Sequence, residues 1–71
     1  MSPTQKREAA AWMVARMKTG EFSFSVLHTE CAAALGADEA LYRLADQVIQ
    51  QQRKLGTVAI NSQRKWEWQV T

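Results

Sequence analysis

The chain has 71 residues, 46% of them hydrophobic, and a formal net charge of +2. This length allows one small domain, residues 1–71, near the size at which an unaided core becomes marginal, and the apolar content favours a folded domain over a disordered tail. The single cysteine, Cys31, excludes an internal disulfide and is typical of a reducing compartment. The chain lacks an apolar run of about 18–20 residues that could cross a membrane, and its polar N-terminus lacks the apolar core of a signal peptide. We therefore expect a cytoplasmic protein with no membrane partner.

Charge is distributed unevenly along the chain. The first 20 residues carry four cations against Glu8, residues 21–50 carry five carboxylates against Arg43, and the last 21 residues carry four cations against Glu67. Both ends are therefore basic and the middle is acidic. A basic patch suggests a polyanionic partner, whereas the acidic middle disfavours a surface that binds nucleic acid uniformly.

The first predicted element is a helix over residues 3–19. Ser2 and Gln5 form a capping-box pattern, Pro3 suits the first helical position, and Gly20 is the predicted stop. The apolar stripe at helical spacing consists of Ala10, Met13, Val14 and Met17. The residues predicted on the flank of that stripe are Ala9, Trp12 and Arg16.

The sequence EFSFS follows the first helix. Its alternation of Phe with polar residues predicts a short strand at residues 22–24. Ser25 is the predicted N-cap of a second helix over residues 26–35, which Gly36 ends. The predicted apolar positions of this helix are Val26, Leu27, Cys31, Ala34 and Leu35.

A third helix is predicted over residues 39–55, with Asp38 as its cap and Gly56 as its stop. Only the tripeptide GAD separates it from the second helix, so the two form a tight helix-turn-helix corner. The predicted buried stripe is Leu41, Leu44, Ala45, Val48, Ile49 and Leu55. The predicted exposed face contains Arg43, Asp46, Gln47, Gln50, Arg53 and Lys54.

Residues 57–60 and 65–70 are predicted to form a β-hairpin around the turn sequence NSQR. The alternating apolar positions of its two strands are Val58, Ile60, Trp66, Trp68 and Val70. Stacking on nucleic-acid bases is one role for the tryptophans, but their phase with the other apolar residues favours a role in covering the helical core. The predicted fold is mainly α with a C-terminal β-hairpin, an α+β fold.

His28 and Cys31 are the residues that invite a metal or nucleophile interpretation, since their spacing places them on one helix face. A zinc site needs three or four ligands, and the chain has no other His or Cys. A Cys–His nucleophile also needs an oxyanion hole and a cleft, for which a chain of this size has little room. We therefore predict no catalytic residue, no metal site, no cofactor and no enzymatic activity.

The order helix, short strand, helix, tight turn, helix and hairpin resembles the winged helix-turn-helix fold. VLHTECAAALGADEALYRLADQVIQQQRK resembles its helix-turn-helix, GTVAINSQRKWEWQV resembles its wing, and EFSFS lies where that fold places a small first strand. The small size resembles that of regulators from phages, prophages and plasmids. The resemblance implies a DNA-binding transcriptional regulator whose third helix enters the major groove of double-stranded DNA while the wing touches phosphate or the minor groove.

This resemblance assigns DNA contacts to the third helix and to the wing tip. The implied contact residues are Tyr42, Arg43, Gln47, Gln50, Arg53 and Lys54 on the helix, and Arg64 and Lys65 at the tip. Gln pairs well with adenine, and Arg with guanine, in the major groove. Trp12 on the first helix marks the candidate element for a homodimer, which would require half-sites about one helical turn apart.

The acidic start of the third helix leaves an alternative open. Glu39 and Asp46 would lie near phosphates and oppose binding, although a Glu can accept a hydrogen bond from cytosine N4. The alternative is a winged-helix protein–protein interaction module or inhibitor of phage type, which binds a protein partner through the acidic third helix and does not bind DNA. The sign of the surface around this helix discriminates between the two hypotheses.

Overall fold

The computed structural model describes residues 2–69. Its described part contains three helices followed by a small antiparallel sheet, so the prediction of a mainly helical α+β fold is confirmed. The elements in chain order are α1 (Pro3–Met17), α2 (Phe24–Leu35), α3 (Ala40–Leu55), β1 (Val58–Ile60) and β2 (Trp66–Trp68). The hairpin strands are shorter than predicted, and Val70 lies outside the described residues. None of the described helices is long and apolar enough to span a bilayer.

The start of α1 follows the sequence prediction. The Gln5 N–H donates to the Ser2 hydroxyl at 3.2 Å, and the Ser2 N–H donates to the Gln5 side-chain oxygen at 2.9 Å. This reciprocal pair is a complete capping box, which satisfies two N–H groups that the helix leaves without partners. The helix ends at Met17, two residues earlier than predicted, and the Thr19 N–H closes a turn onto the Arg16 carbonyl at 3.0 Å.

The start of α2 corrects two predictions. Ser23, not Ser25, is the N-cap, because its hydroxyl accepts the Val26 N–H at 3.2 Å. The predicted strand at residues 22–24 is reduced to Phe22, which forms an isolated antiparallel bridge with Trp66. The bridge has two hydrogen bonds, Phe22 N–H to the Trp66 carbonyl at 2.9 Å and Trp66 N–H to the Phe22 carbonyl at 2.7 Å. The pairing of Phe22 with Trp66 therefore determines where the extended segment ends and α2 begins.

The helix α3 begins at Ala40, one residue later than predicted, and its N-cap position is Glu39, which makes no side-chain capping hydrogen bond. The predicted cap, Asp38, lies one residue earlier, and its carboxylate accepts the Ala40 N–H at 2.8 Å. At the other end, Gly56 adopts φ +78°, the left-handed region that glycine tolerates best. The Gly56 N–H donates to the Arg53 carbonyl at 3.0 Å and the Thr57 N–H to the Gln52 carbonyl at 3.1 Å. This pair of bonds is a Schellman motif, which ends the helix and starts β1.

The core lies where the three helices meet the hairpin. Its buried residues are Ala9, Met13, Met17, Phe22, Leu27, Cys31, Leu41, Leu44, Ala45, Val48, Ile49 and Val58. Trp66 and Trp68 are partly buried against it, which confirms the predicted covering role of the tryptophans. The α3 stripe is confirmed except at Leu55, the last helical residue, which is 66% exposed.

On three other elements, α1, α2 and β1, some predicted core positions are wrong. Ala9, placed on the flank, is buried, whereas Ala10 and Val14 only pack against the core edge. On α2 the buried stripe is restricted to Leu27 and Cys31, so the other predicted apolar positions, Val26, Ala34 and Leu35, are exposed. On β1, Ile60 is 59% exposed although it shares a face with Val58, because it lies at the end of the strand next to the turn. In each case the contact with a neighbouring element, rather than apolarity, decides burial.

Candidate nucleic-acid interface

All eight residues predicted to contact DNA are exposed. Six of them lie on α3 and two lie in the tip of the hairpin, which we define as residues 61–65. Helical spacing divides the α3 residues into two flanks of the solvent side. One flank carries Tyr42 and Arg53 together with Asp46, and the other carries Arg43, Gln47 and Lys54, while Gln50 lies between them opposite the buried stripe. Solvent therefore reaches a broad face of α3 rather than a single row.

Tyr42 is brought together with two residues of α2 that the sequence analysis did not include in the site. The Tyr42 ring meets the Phe24 ring edge-on, with centroids 4.9 Å apart, and the His28 ring edge-on at 5.9 Å. The Phe24 and His28 rings are nearly parallel at 6.3 Å. Tyr42 is nevertheless 62% exposed. The four-residue spacing of Phe24 and His28 could have indicated this contact in the sequence, but only if the second helix had been predicted to start at Phe24.

A shallow cleft of about 190 Å³ connects this aromatic group to the hairpin. Its lining comes from Trp66 of β2, from Phe24 of α2, and from Tyr42, Asp46, Ile49 and Gln50 of α3. The hairpin thus lies alongside the flank of α3 that carries Tyr42, so residues from three elements contribute to one surface.

The hairpin tip is organised by Asn61. Its side-chain oxygen accepts the Gln63 N–H at 2.9 Å and the Lys65 N–H at 3.0 Å, and its carbonyl accepts the Arg64 N–H at 3.0 Å. Arg64 adopts φ +62° and is the one non-glycine residue of the described chain with a positive φ. Asparagine is suited to such a turn because its side chain can replace backbone partners, and the turn presents Arg64 to solvent.

Most cations of the candidate interface form no salt bridge within residues 2–69. Among residues 2–69, salt bridges join Arg16 to Glu30 and Lys65 to Glu21, the latter with 3.7 Å between Nζ and Oε1. Cations of the interface without a salt bridge in this part of the chain are Arg43, Arg53, Lys54 and Arg64. Asp46 on α3 and Glu39, its N-cap residue, also lack a salt bridge there. The surface therefore carries both signs, and four cations are free to meet an anionic partner.

His28 and Cys31 do not form a reactive pair. His28 packs with the two aromatic rings at the surface, whereas Cys31 is fully buried in the core, where desolvation raises the pKa of its thiol. A raised pKa keeps the thiol protonated and unreactive near neutral pH. Among residues 2–69, no group of three or more His, Cys, Asp and Glu side chains is arranged to hold a metal ion.

Comparison with known proteins does not assign the chain to a family. No family model matches the sequence, and neither a curated protein nor a solved structure matches it significantly.

Proposed function

We propose that this protein is a small winged-helix DNA-binding protein that acts in transcriptional regulation. In this proposal α3 reads the major groove of double-stranded DNA and the hairpin tip contacts the phosphate backbone. The observation that carries the proposal is a set of exposed cations that form no salt bridge within residues 2–69 and lie on the two elements to which the resemblance assigns DNA contacts. Those cations are Arg43, Arg53 and Lys54 on α3 and Arg64 in the hairpin tip.

The pairing of Phe22 with Trp66 supports the winged-helix part of the proposal. The resemblance expects a small strand between the first two helices, and Phe22 forms a strand-like bridge at that place. Because β2 also pairs with β1 through Ile60 and Trp66, β2 lies between Phe22 and β1. The hairpin is therefore attached to the helices by backbone hydrogen bonds as well as by side-chain packing.

The conformation of Arg64 supports the contact between the hairpin tip and phosphate. A left-handed conformation costs a non-glycine residue about 1–2 kcal/mol, so glycine or asparagine is the usual choice. An arginine at φ +62° carries that cost and gains no salt bridge within residues 2–69. Strain that the fold itself does not require is typical of functional sites. A guanidinium group held out at the tip is well suited to bind a phosphate oxygen.

A salt titration of binding to mixed-sequence duplex DNA tests the proposal. The wild type is compared with an Arg64→Ala, Lys65→Ala double variant and with a Lys6→Ala, Arg7→Ala double variant, which removes the same charge from the exposed start of α1. Because each phosphate contact contributes about 0.9 to the slope of log K against log salt, we expect the tip variant to lower the slope by about 1.8. The α1 variant is expected to leave the slope close to that of the wild type.

Two results would overturn this assignment. Absence of duplex binding at low salt would remove DNA as the partner. An equal loss of slope in the tip and α1 variants would show that net charge, rather than the hairpin tip, determines binding. If binding is found, selection from a random duplex pool tests the regulatory part, because a regulator requires one preferred sequence and a general DNA-binding protein does not.

A second candidate function is a module that binds protein through α3, and one observation favours it. Tyr42 is exposed between Glu39 and Asp46, which lie on the same side of α3 and lack salt bridges within residues 2–69. A Glu39→Gln, Asp46→Asn double variant separates the two candidates. If α3 lies against phosphates, removing the carboxylates strengthens duplex binding, and the gain decreases with added salt. If neither protein binds DNA at low salt, the protein-binding candidate is favoured.

A further inference from the structure

We propose that Glu21 holds the hairpin tip in position. In the free protein Glu21 also forms an ion pair with Lys65, and a DNA phosphate replaces the Glu21 carboxylate in that pair on binding. The first part concerns the fold alone, whereas the second rests on the proposed function. Glu21 lies in the connection between α1 and α2, outside the residues that the sequence analysis assigned to DNA contact.

The backbone next to Glu21 is fixed against the hairpin. Phe22, the following residue, is 1% exposed and pairs with Trp66 through two backbone hydrogen bonds. Trp66 directly follows Lys65, the last residue of the hairpin tip. The bridge therefore places the Glu21 side chain beside the tip.

The Glu21 carboxylate contacts the tip with both of its oxygens. Oε2 accepts a hydrogen bond from the Asn61 side-chain amide at 2.8 Å, and Oε1 lies 3.7 Å from Lys65 Nζ. A second carboxylate, that of Glu67, lies at 3.5 Å from the same amide, which is the outer limit of a hydrogen bond. The contact with Glu21 is thus the stronger of the two, and it connects residues 40 positions apart in the sequence.

This contact orients the residue that organises the turn. The Asn61 side-chain oxygen accepts the N–H groups of Gln63 and Lys65, and its amide donates to Glu21. Fixing the amide on Glu21 fixes the oxygen as well, because both belong to one planar group. Glu21 therefore acts as a positioning residue: it holds Asn61, and Asn61 holds the backbone that carries Arg64 and Lys65.

The contact with Lys65 is suited to exchange. The two side chains are 43% and 50% exposed, so water and salt weaken their attraction. A phosphate can replace the Glu21 carboxylate at the Lys65 ammonium group without leaving a buried charge uncompensated. The carboxylate also repels an approaching phosphate, and Glu21 is therefore expected to limit the affinity of the hairpin tip for DNA.

Two substitutions at Glu21 separate positioning from charge. Glu21→Gln keeps an oxygen that accepts from Asn61 but removes the negative charge, whereas Glu21→Ala removes both. Glu8→Gln, at an exposed position of α1, is the matched control for the change in net charge. Each protein is measured by amide hydrogen exchange and by the duplex salt titration. Protection of the amides of Val48 and Ile49 shows that the helical core is intact.

For positioning, we expect exchange at the Gln63 and Lys65 amides to be several-fold faster in Glu21→Ala and nearly unchanged in Glu21→Gln. For charge, we expect Glu21→Gln to bind duplex DNA more tightly at low salt, by up to about fivefold from the energies of exposed ion pairs. This gain is expected to disappear as salt is raised, and Glu8→Gln is expected to show little of it.

The outcomes distinguish the two parts from each other and from the proposed function. Unchanged exchange in Glu21→Ala would overturn the positioning role. Equal affinities of Glu21→Gln and Glu8→Gln would overturn the exchange with phosphate. If no variant binds DNA while Glu21→Ala accelerates exchange, the proposed function fails and the positioning role stands.

Discussion

The helical body, α1 to α3, and the hairpin are held in place by different forces. Within the described residues, the body supplies most of the fully buried side chains, and the hairpin supplies only Val58. In addition to the packing of Val58, Trp66 and Trp68, the hairpin is held by directional polar contacts, namely the Phe22–Trp66 bridge and the hydrogen bond from Asn61 to Glu21. Burial is non-directional and tolerates small shifts, whereas hydrogen bonds fix geometry. The difference teaches that the body provides stability and that specific polar groups determine where the exposed tip lies.

The largest expected effect is a loss of core packing in the body. Leu41→Ala truncates a fully buried side chain, whereas Leu55→Ala truncates one that is 66% exposed on the same helix. We expect the first to lower the free energy of unfolding by about 2–5 kcal/mol and the second by less than about 0.5 kcal/mol. Urea denaturation followed by tryptophan fluorescence measures both. Similar losses would contradict the assignment of stability to the buried stripe.

A matched pair on β1 makes the same test in the hairpin. Val58 is 3% exposed and Ile60 is 59% exposed, although both side chains lie on one face of the strand. We expect Val58→Ala to cost about 1.5–2.5 kcal/mol, because it removes two buried methyl groups and leaves a small cavity. Ile60→Ala is expected to cost well under half as much. A larger cost for Ile60→Ala in thermal denaturation would show that the hairpin buries its face up to the tip.

A smaller effect is expected at the junction between body and hairpin. Ser23 caps α2 through its hydroxyl, whereas Ser25 lies within the helix and is exposed. We expect Ser23→Ala to destabilise the protein by about 1 kcal/mol. Ser25→Ala is expected to be neutral or slightly stabilising, since alanine has the higher helix propensity. If calorimetry showed Ser25→Ala to be the more destabilising of the two substitutions, Ser25 would be the cap and α2 would start later.

The smallest expected effect has the opposite sign. Arg64→Gly relieves the left-handed conformation at φ +62° but also makes the unfolded chain more flexible. We expect a net stabilisation of about 0.5 kcal/mol together with weaker duplex binding. Arg64→Lys, which retains the charge and the strain, is the control and should bind DNA more tightly than the glycine variant. Destabilisation by glycine would show that the Arg64 side chain itself stabilises the turn.

Prediction from the sequence succeeded where the signal is local. The capping box of Ser2 and Gln5 and the stop at Gly56 depend on residues within one turn of each other, so their spacing alone identifies them. It was less successful where two local solutions compete. Ser23 and Ser25 can each cap a helix, and only the pairing of Phe22 with Trp66 selects the first.

The candidate site was predicted only in part for the same reason. Exposure of the eight proposed DNA-contacting residues follows from the periodicity of α3 and the polarity of the turn. The contacts of Tyr42 with Phe24 and His28 depend on how α2 packs against α3, and periodicity within one helix carries no information on them. The proximity of Glu21 to the hairpin tip is likewise invisible in the sequence.

The sequence by itself determined three helices, their order, the buried stripe of α3 and the basic tip of a C-terminal hairpin. Hydrogen bonds within a turn and hydrophobic periodicity fix these features, and both act between near neighbours. Only the tertiary structure decided that Ala9 is buried, that Leu55 and Ile60 are exposed, and that Glu21 contacts Asn61. Burial and long-range polar contacts depend on which elements meet, and that is a property of the packed chain as a whole.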